Sequence, residues 1–160
     1  MRETPVTGLF NSGNGVRPEL DEKVVSYLAV RILIADDFPA WRHCVLTLLE
    51  PIPEFQIVGE AADGLEAVRK SHELQPDLIL LDISLPKMNG IEVARQICRA
   101  TPSATILFVG ENRCPAVIDE ALRTGPCTHG YVLKSAAAWD LLPAMRAVMQ
   151  RETFVSGDLA

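Results

Sequence analysis

The sequence predicts an α/β protein with a doubly wound, five-stranded parallel sheet, and three observations lead to this prediction. Five short runs rich in Ile, Leu and Val alternate with five helix-length segments. The runs are apolar at nearly every position, as expected for strands covered by helices on both faces of a parallel sheet. Residues that favour the beginning or the end of a helix stand at several of the boundaries.

The predicted strands are RILIA (31–35), QIVGE (56–60), LILLD (78–82), TILFV (105–109) and GYVLK (130–134). Each is a short apolar run with polar or turn-forming residues beside it, which is typical of buried strands. Their regular alternation with helices predicts five successive βα units in a flavodoxin-like sandwich.

The predicted helices are PAWRHCVLTLLE (39–50), GLEAVRKSHEL (64–74), IEVARQICRA (91–100), PAVIDEALRT (115–124) and AAWDLLPAMRAVMQ (137–150). Pro39 suits a first helical turn, Asp63 can cap the second helix, and Gly125 follows the fourth. Trp41 shares a helical face with other apolar residues, which favours core packing. Pro143 lies inside the last helix and predicts a kink or a break there, because proline lacks a backbone N–H.

Composition and charge limit the classes of function. The 160 residues carry a formal net charge of −6, so direct binding to nucleic acid is not expected. The four cysteines contain no CxxC pair and the three histidines lie far apart, so neither a zinc site nor a redox motif is visible. The apolar stretch VVSYLAV is too short to span a membrane. We therefore expect a cytoplasmic protein with no membrane contact.

Acidic residues stand at the ends of two predicted strands, and a lysine ends a third. Asp36 and Asp37 follow the first strand, Asp82 ends the third, and Lys134 ends the fifth. Ligands of doubly wound sheets bind beyond the carboxyl ends of the strands, so these side chains should meet at one rim. Clustered carboxylates are tolerated chiefly around a hard cation, and Mg²⁺ prefers such oxygen ligands. With a lysine that can contact a phosphoryl group, the set predicts an aspartyl phosphate site.

The segments ILIADD (32–37), LILLDISLPKMNG (78–90) and GYVLK (130–134) together resemble the receiver domain of two-component response regulators, of the NarL/FixJ or CheY-like type. The resemblance implies a bacterial signalling module that receives a phosphoryl group from a sensor histidine kinase or a phosphotransfer protein. Self-catalysed transfer and hydrolysis would be its only chemistry, so it would not be an enzyme. Its output would pass to an unidentified protein, and a homodimer is compatible with the resemblance.

The resemblance also implies roles for individual residues. Asp82 would be the phosphoacceptor, and Lys134 would contact the phosphoryl oxygens. Magnesium would be bound by Asp36, Asp37, Asp82 and the backbone carbonyl of Ser84.

The switch region departs from the family pattern. Where receivers carry Ser or Thr at the end of the fourth strand, this chain has Gly110, so no hydroxyl can respond there and the loop should be more mobile. Tyr131 stands where the family has an aromatic residue that changes rotamer on activation. The segment TGPCTHGY (124–131) is about two residues longer than the family's usual turn.

Three segments are expected along the chain. Residues 1–30 would form a flexible or partly helical leader, residues 31–155 the receiver domain, and residues 156–160 a C-terminal tail with no output domain, which makes a stand-alone receiver. Two other functions remain open. Gly110 favours a phosphorylation-independent pseudo-receiver that serves as an interaction or dimerisation module, whereas the complete acid and lysine set argues against it. A haloacid-dehalogenase-type phosphatase would need a second Asp where Ser84 stands, and a hydroxyl cannot supply that proton at neutral pH.

Overall fold

The computed structural model describes residues 28–157, which form one parallel sheet with helices on both faces. Its strands are β1 (Val30–Ala35), β2 (Phe55–Ala61), β3 (Leu78–Leu81), β4 (Thr105–Gly110), β5 (Thr128–Leu133) and β6 (Phe154–Val155). The order across the sheet is β2-β1-β3-β4-β5-β6, and every neighbouring pair is parallel. Most of the predicted leader, residues 1–27, and the last residues, 158–160, lie outside the described part of the chain.

Five α-helices connect the strands and confirm the predicted alternation. They are α1 (Pro39–Leu49), α2 (Gly64–Leu74), α3 (Gly90–Ala100), α4 (Pro115–Leu122) and α5 (Ala137–Met149), and a short 3₁₀ helix (Lys134–Ala136) precedes α5. Within residues 28–157, none of the helices has the length and apolar character needed to cross a membrane.

Local sequence signals fix the beginnings of α1 and α2 as predicted, and a further cap begins α3. Pro39 is the first residue of α1. Asp63 caps α2, because its carboxylate accepts a hydrogen bond from the N–H of Glu66 at 2.8 Å, while the Glu66 carboxylate accepts one from the N–H of Ala62. Asn89, which was not predicted as a cap, begins α3, because its side-chain oxygen accepts a hydrogen bond from the N–H of Glu92 at 3.0 Å. The cap at Asn89 fixes where the chain turns into α3 after the third strand.

Side chains of each strand alternate between two hydrophobic cores. In β1, Leu33 and Ala35 belong to the core that includes residues of α2, α3 and α4, whereas Ile32 and Ile34 belong to the core that includes residues of α1 and α5. Each face of the sheet is therefore covered by helices. This arrangement confirms the doubly wound fold and leaves the carboxyl edge of the sheet available for a site.

The sheet has one strand more than the five predicted. The two residues of β6 pair with Gly130 and Tyr131 of β5, and a two-residue strand is too short to produce a hydrophobic pattern in the sequence. The next residue, Ser156, is fully buried. Its backbone N–H donates to the carbonyl of Tyr131, and its hydroxyl oxygen accepts a hydrogen bond from the N–H of Leu133 at 3.0 Å.

The predicted break at Pro143 does not occur. The helix α5 continues through this residue without interruption. Pro143 is exposed, and Trp139, whose carbonyl loses its helical donor, has a side chain that is 80% exposed. The free carbonyl is therefore on the solvent side of the helix, where water can satisfy it.

Replacing Ser156 with Ala is expected to lower the free energy of unfolding by about 1–3 kcal/mol, because the buried N–H of Leu133 loses its acceptor. Urea denaturation measures the loss. Ser103→Ala is the matched control, since Ser103 is exposed and its side chain should contribute little. Equal unfolding free energies for the two variants would show that the Ser156 contact does not stabilise the fold.

Candidate functional site

The register of the central strands places two acidic residues side by side. Ala35 of β1 pairs with Leu81 of β3, so the residues that follow, Asp36 and Asp82, leave the sheet at the same level. The backbone N–H of Asp82 donates to the carbonyl of Ala35 at 2.9 Å and holds the two chain segments together there. The strand order reverses between β1 and β3, so both carboxylates lie at the topological switch point.

The loop after β3 fixes the backbone of Asp82. Gly90 at the start of α3 packs so closely that a side-chain carbon added there would overlap the carbonyl oxygen of Asp82. Its N–H donates to the carbonyl of Ile83 at 2.7 Å. A carboxylate oxygen of Asp82, Oδ1, accepts a hydrogen bond from the N–H of Ser84 at 3.0 Å. The Asp82 side chain is therefore oriented by its own loop.

Lys134 joins the two acidic strand ends. It is the first residue after β5, and its Nζ donates to Oδ2 of Asp82 at 2.9 Å. Oδ2 of Asp36 lies 2.6 Å from the same nitrogen and makes a second ion pair with it. The aromatic ring of Trp41 lies under the ammonium group, with its centroid 5.4 Å away. One cation thus balances two carboxylates.

Burial and neighbouring charges shift the pKa values of Asp36 and Lys134. Burial raises the pKa of the Asp36 carboxyl, and the contacts with Lys134 and with the N–H of Phe38 offset only part of that rise. Burial by itself would lower the pKa of Lys134, but its contacts with Asp36 and Asp82 raise it above the ordinary value. Lys134 therefore stays charged. Without Lys134, keeping the buried Asp36 carboxylate charged would cost free energy of folding.

The acidic cluster has the donor atoms that a magnesium ion needs. Carboxylate oxygens of Asp36, Asp37 and Asp82 all lie within 4.8 Å of one another. Oδ2 of Asp36 is buried and lies 2.6 Å from Nζ of Lys134, so a metal ion at this oxygen would share it with the lysine. Asp37 is exposed at the mouth of the site. These oxygens match the ligand preference of Mg²⁺, and the residues fit this ion.

A cavity of about 310 Å³ opens onto this cluster, and the structure brings most of the predicted site residues to it. Asp37, Asp82, Ser84 and Lys134 line its wall, together with Phe38 and Glu111, while Asp36 lies beneath it. Phe38 and Glu111 were not among the predicted site residues. Both follow directly after strand-end residues that were singled out, and that position is the signal that could have identified them.

Gly110 and Tyr131 form one structural unit at the far side of the cavity. A side-chain carbon at Gly110 would lie 3.6 Å from Oδ1 of Asp82, so this position faces the acidic cluster. The same carbon would lie only 2.7 Å from the hydroxyl of Tyr131. The tyrosine ring is fully buried, and its hydroxyl donates to the carbonyl of Asn112 at 2.9 Å. Burial raises the pKa of Tyr131 to about 12, so the hydroxyl remains protonated.

Comparisons with known proteins show which family this chain resembles. Residues 32–146 match the response regulator receiver domain family. The transcriptional regulatory protein LiaR of Bacillus subtilis is 33% identical over 135 residues, which cover 82% of this chain and 61% of LiaR. DegU of Brevibacillus brevis is 32% identical over 126 residues, which cover 79% of this chain and 52% of DegU. The chain thus matches between about half and three fifths of the length of these relatives.

Solved structures show the same fold. A two-component response regulator of the LuxR family from an Aurantimonas species is 33% identical with a TM-score of 0.76, and the match covers 82% of this chain and 92% of that one. The isolated receiver domain of Salmonella RcsB, solved with the phosphate mimic BeF₃⁻, is 28% identical with a TM-score of 0.75 and coverages of 82% and 96%.

Replacing Lys134 with Met is expected to destabilise the fold most at neutral pH. The variant leaves Asp36 and Asp82 without their shared cation, and breaking a buried ion pair costs about 3 kcal/mol. The pKa of Asp36, already raised by burial, rises further when the contacts with Lys134 are lost. A carboxyl with a folded pKa above its unfolded value stabilises the fold at low pH, and this contribution is lost as the pH rises through the folded pKa.

The deficit in unfolding free energy should therefore shrink as the pH falls from about 7.5 toward 5, because Asp36 becomes protonated in the folded variant. Urea unfolding at several pH values without Mg²⁺ measures it. Lys87→Met is the control, since Lys87 pairs with Asp63 at the surface and should matter little at any pH. A deficit that does not change with pH would contradict the role assigned to the buried carboxylate.

Proposed function

The chain belongs to the response regulator receiver domain family, and we propose that it accepts a phosphoryl group on the carboxylate of Asp82 in the presence of Mg²⁺. Receiver domains are signalling modules rather than enzymes, and they interact with histidine kinases and phosphotransfer proteins. The observation that carries the proposal is the setting of Asp82. Its carboxylate is oriented by the N–H of Ser84 on one oxygen and by Lys134 on the other, at the wall of an open cavity.

In the proposed reaction a carboxylate oxygen of Asp82 attacks phosphorus and forms the new O–P bond, while the bond from phosphorus to the donor nitrogen of a phosphohistidine breaks. The electron pair of that bond leaves with the imidazole. Lys134, already 2.9 Å from Asp82, then lies close enough to pair with a phosphoryl oxygen. Asp36, Asp37, Asp82 and the carbonyl of Ser84 would bind Mg²⁺, which supplies positive charge against the phosphoryl oxygens.

Signalling would then proceed through contacts with another protein. Lys134 connects the acidic site to the start of α5, and Tyr131 lies three residues before it, on β5. Because Tyr131 is itself buried, the exposed residues of β5 and α5 around it would form the output surface.

Incubation with acetyl phosphate and Mg²⁺ is expected to add one phosphoryl group to the protein, and intact-protein mass spectrometry detects it. The adduct should disappear without Mg²⁺ and in Asp82→Asn, because the amide cannot act as the nucleophile. Asp119→Asn is the matched control, since Asp119 lies on the exposed side of α4 and pairs with Arg123. It should be phosphorylated as the wild type is.

A second candidate function is a phosphorylation-independent interaction module, and the packing at Gly110 favours it. The hydroxyl of Tyr131 occupies the space beside Gly110 and is held by Asn112, so the ring is buried without any phosphoryl group. Absence of an adduct from a folded protein would make this function the leading one. An adduct on Asp119→Asn but not on Asp82→Asn would support the phosphoacceptor.

Gly110→Ser is expected to increase the response of Tyr131 to phosphorylation. The new side chain would collide with the tyrosine hydroxyl and displace it, and would bring its own hydroxyl toward Asp82. NMR chemical-shift changes at Tyr131 on addition of BeF₃⁻ and Mg²⁺ measure the response, which should be larger than in the wild type.

Gly110→Ala separates the two effects of that substitution. It fills the same space without a hydroxyl, so it should displace Tyr131 but not restore a response to BeF₃⁻. If wild type, Gly110→Ala and Gly110→Ser all show equal BeF₃⁻-induced changes at Tyr131, the missing hydroxyl has no part in coupling.

A further inference from the structure

Two buried cysteines lie together beside α4. Cys98 is in the last turn of α3, and Cys127 directly precedes β5. They form a disulfide, with their Cα atoms 5.7 Å apart and their side chains 5% and 0% exposed. This separation lies within the range that a disulfide requires. The other cysteines, Cys44 and Cys114, are exposed and free.

We propose that Cys98 and Cys127 are a reversible redox site, and that the oxidised pair restrains the α4 segment, residues 111–127. The inference goes beyond phosphoryl acceptance and does not depend on it, because the pair lies outside the acidic cavity. A phosphorylation-independent module would carry the same site.

The loop that carries Cys127 is built to approach Cys98. A side-chain carbon at Gly125 would lie 3.0 Å from Cβ and 3.1 Å from Sγ of Cys98, which is tighter than ordinary contacts. Gly125 does not have a positive φ. Gly125, the first of the two glycines in TGPCTHGY (124–131), is therefore required for close packing and not for a left-handed turn.

Hydrogen bonds connect this loop to α4. The hydroxyl of Thr128 lies 2.9 Å from the carbonyl oxygens of both Leu122, the last residue of α4, and Gly125. The carbonyl of Cys127 accepts a hydrogen bond from the N–H of Ile106 in β4. A covalent bond at Cys127 therefore limits the motion of the end of α4 relative to the sheet.

The disulfide closes a loop between residues 29 positions apart, and this loop contains β4 and α4. Gly110 and Asn112, which surround the hydroxyl of Tyr131, lie within it. Cross-linking removes conformational freedom mainly from open and unfolded states of the enclosed chain. Oxidation should thus favour the closed packing around Tyr131.

A small-molecule disulfide such as oxidised glutathione would be the oxidant. One protein thiolate attacks it, forms a mixed disulfide and releases one small thiolate, and the second protein thiolate then displaces the other. The two protein thiols lose two protons and two electrons, and the small disulfide is reduced to two thiols. Because both sulfurs are buried, the exchange requires opening of the loop 123–127 and should be slower than reaction at exposed Cys44.

The test uses the full chain with Cys44→Ser and Cys114→Ser, which removes the exposed thiols and keeps the pair. After treatment with oxidised glutathione, the protein should be lighter by two hydrogens than after dithiothreitol, and alkylation in denaturant should modify no cysteine, against two in the reduced protein. The oxidised form should melt roughly 5–10 °C higher. Amide hydrogen exchange over residues 111–127 should be slower in the oxidised form.

Cys98→Ala and Cys127→Ala in the same background are the controls, and oxidant should leave their melting temperatures unchanged. If these variants fail to fold, the oxidised and reduced forms of the parent chain still decide the question. The proposal is overturned if excess oxidised glutathione leaves both thiols alkylatable or produces only a disulfide-linked dimer. It is equally overturned if the bond forms without changing the melting temperature or the exchange rates.

Discussion

The ion pair of Lys134 with two buried carboxylates is the interaction on which the rest of this site depends. Asp36 and Asp82 come from neighbouring strands whose register brings them to one level, so their charges would repel in a region that water barely reaches. Lys134, directly after β5, supplies the compensating charge, with its Nζ 2.6 Å from Oδ2 of Asp36 and 2.9 Å from Oδ2 of Asp82. The three strand ends are thereby connected at the point where the sheet order reverses. An ion bound by the same oxygens would share this role of compensation.

The two sides of the cavity are constructed differently. On the side of β3, backbone contacts hold the loop: Gly90 packs on the carbonyl of Asp82, and the N–H of Gly64 donates to the carbonyl of Pro86. These contacts leave no room for side chains and make the position of Asp82 a property of the main chain. On the side of β4, Gly110 carries no side chain, and the hydroxyl of Tyr131 fills the space instead. The acidic site is thus fixed by backbone, whereas the switch region is fixed by one tyrosine and its bond to Asn112.

The residues proposed to accept the phosphoryl group are thus distinct from those proposed to pass the signal to Tyr131. Asp36, Asp82 and Lys134 lie together at the cavity, whereas Gly110 at the end of β4 has no side chain to contact a phosphoryl group on Asp82. Tyr131 is already buried and hydrogen bonded, and its hydroxyl fills the space beside Gly110. A phosphoryl group on Asp82 would therefore find no empty space there for the ring to move into. The Cys98–Cys127 bond encloses β4 and α4, so the proposed redox site would restrain the same region. The two proposals, phosphorylation of Asp82 and oxidation of the cysteine pair, would thus both act on the packing around Tyr131.

The sequence by itself determined the alternation of strands and helices, the cap at Asp63 and the acidic and basic strand ends, because each depends on residues close together in the chain. Periodicity and capping are local, and the ends of parallel strands must share one edge, so Asp36, Asp82 and Lys134 could be placed together without coordinates. Only the tertiary structure decided the features that join distant segments. These are the two-residue strand β6 with Ser156 beneath it, the solvent-facing Pro143 that leaves α5 intact, the Tyr131 hydroxyl beside Gly110, and the Cys98–Cys127 pair. Each depends on contacts between residues that are distant in the sequence, and a local sequence pattern does not determine such contacts.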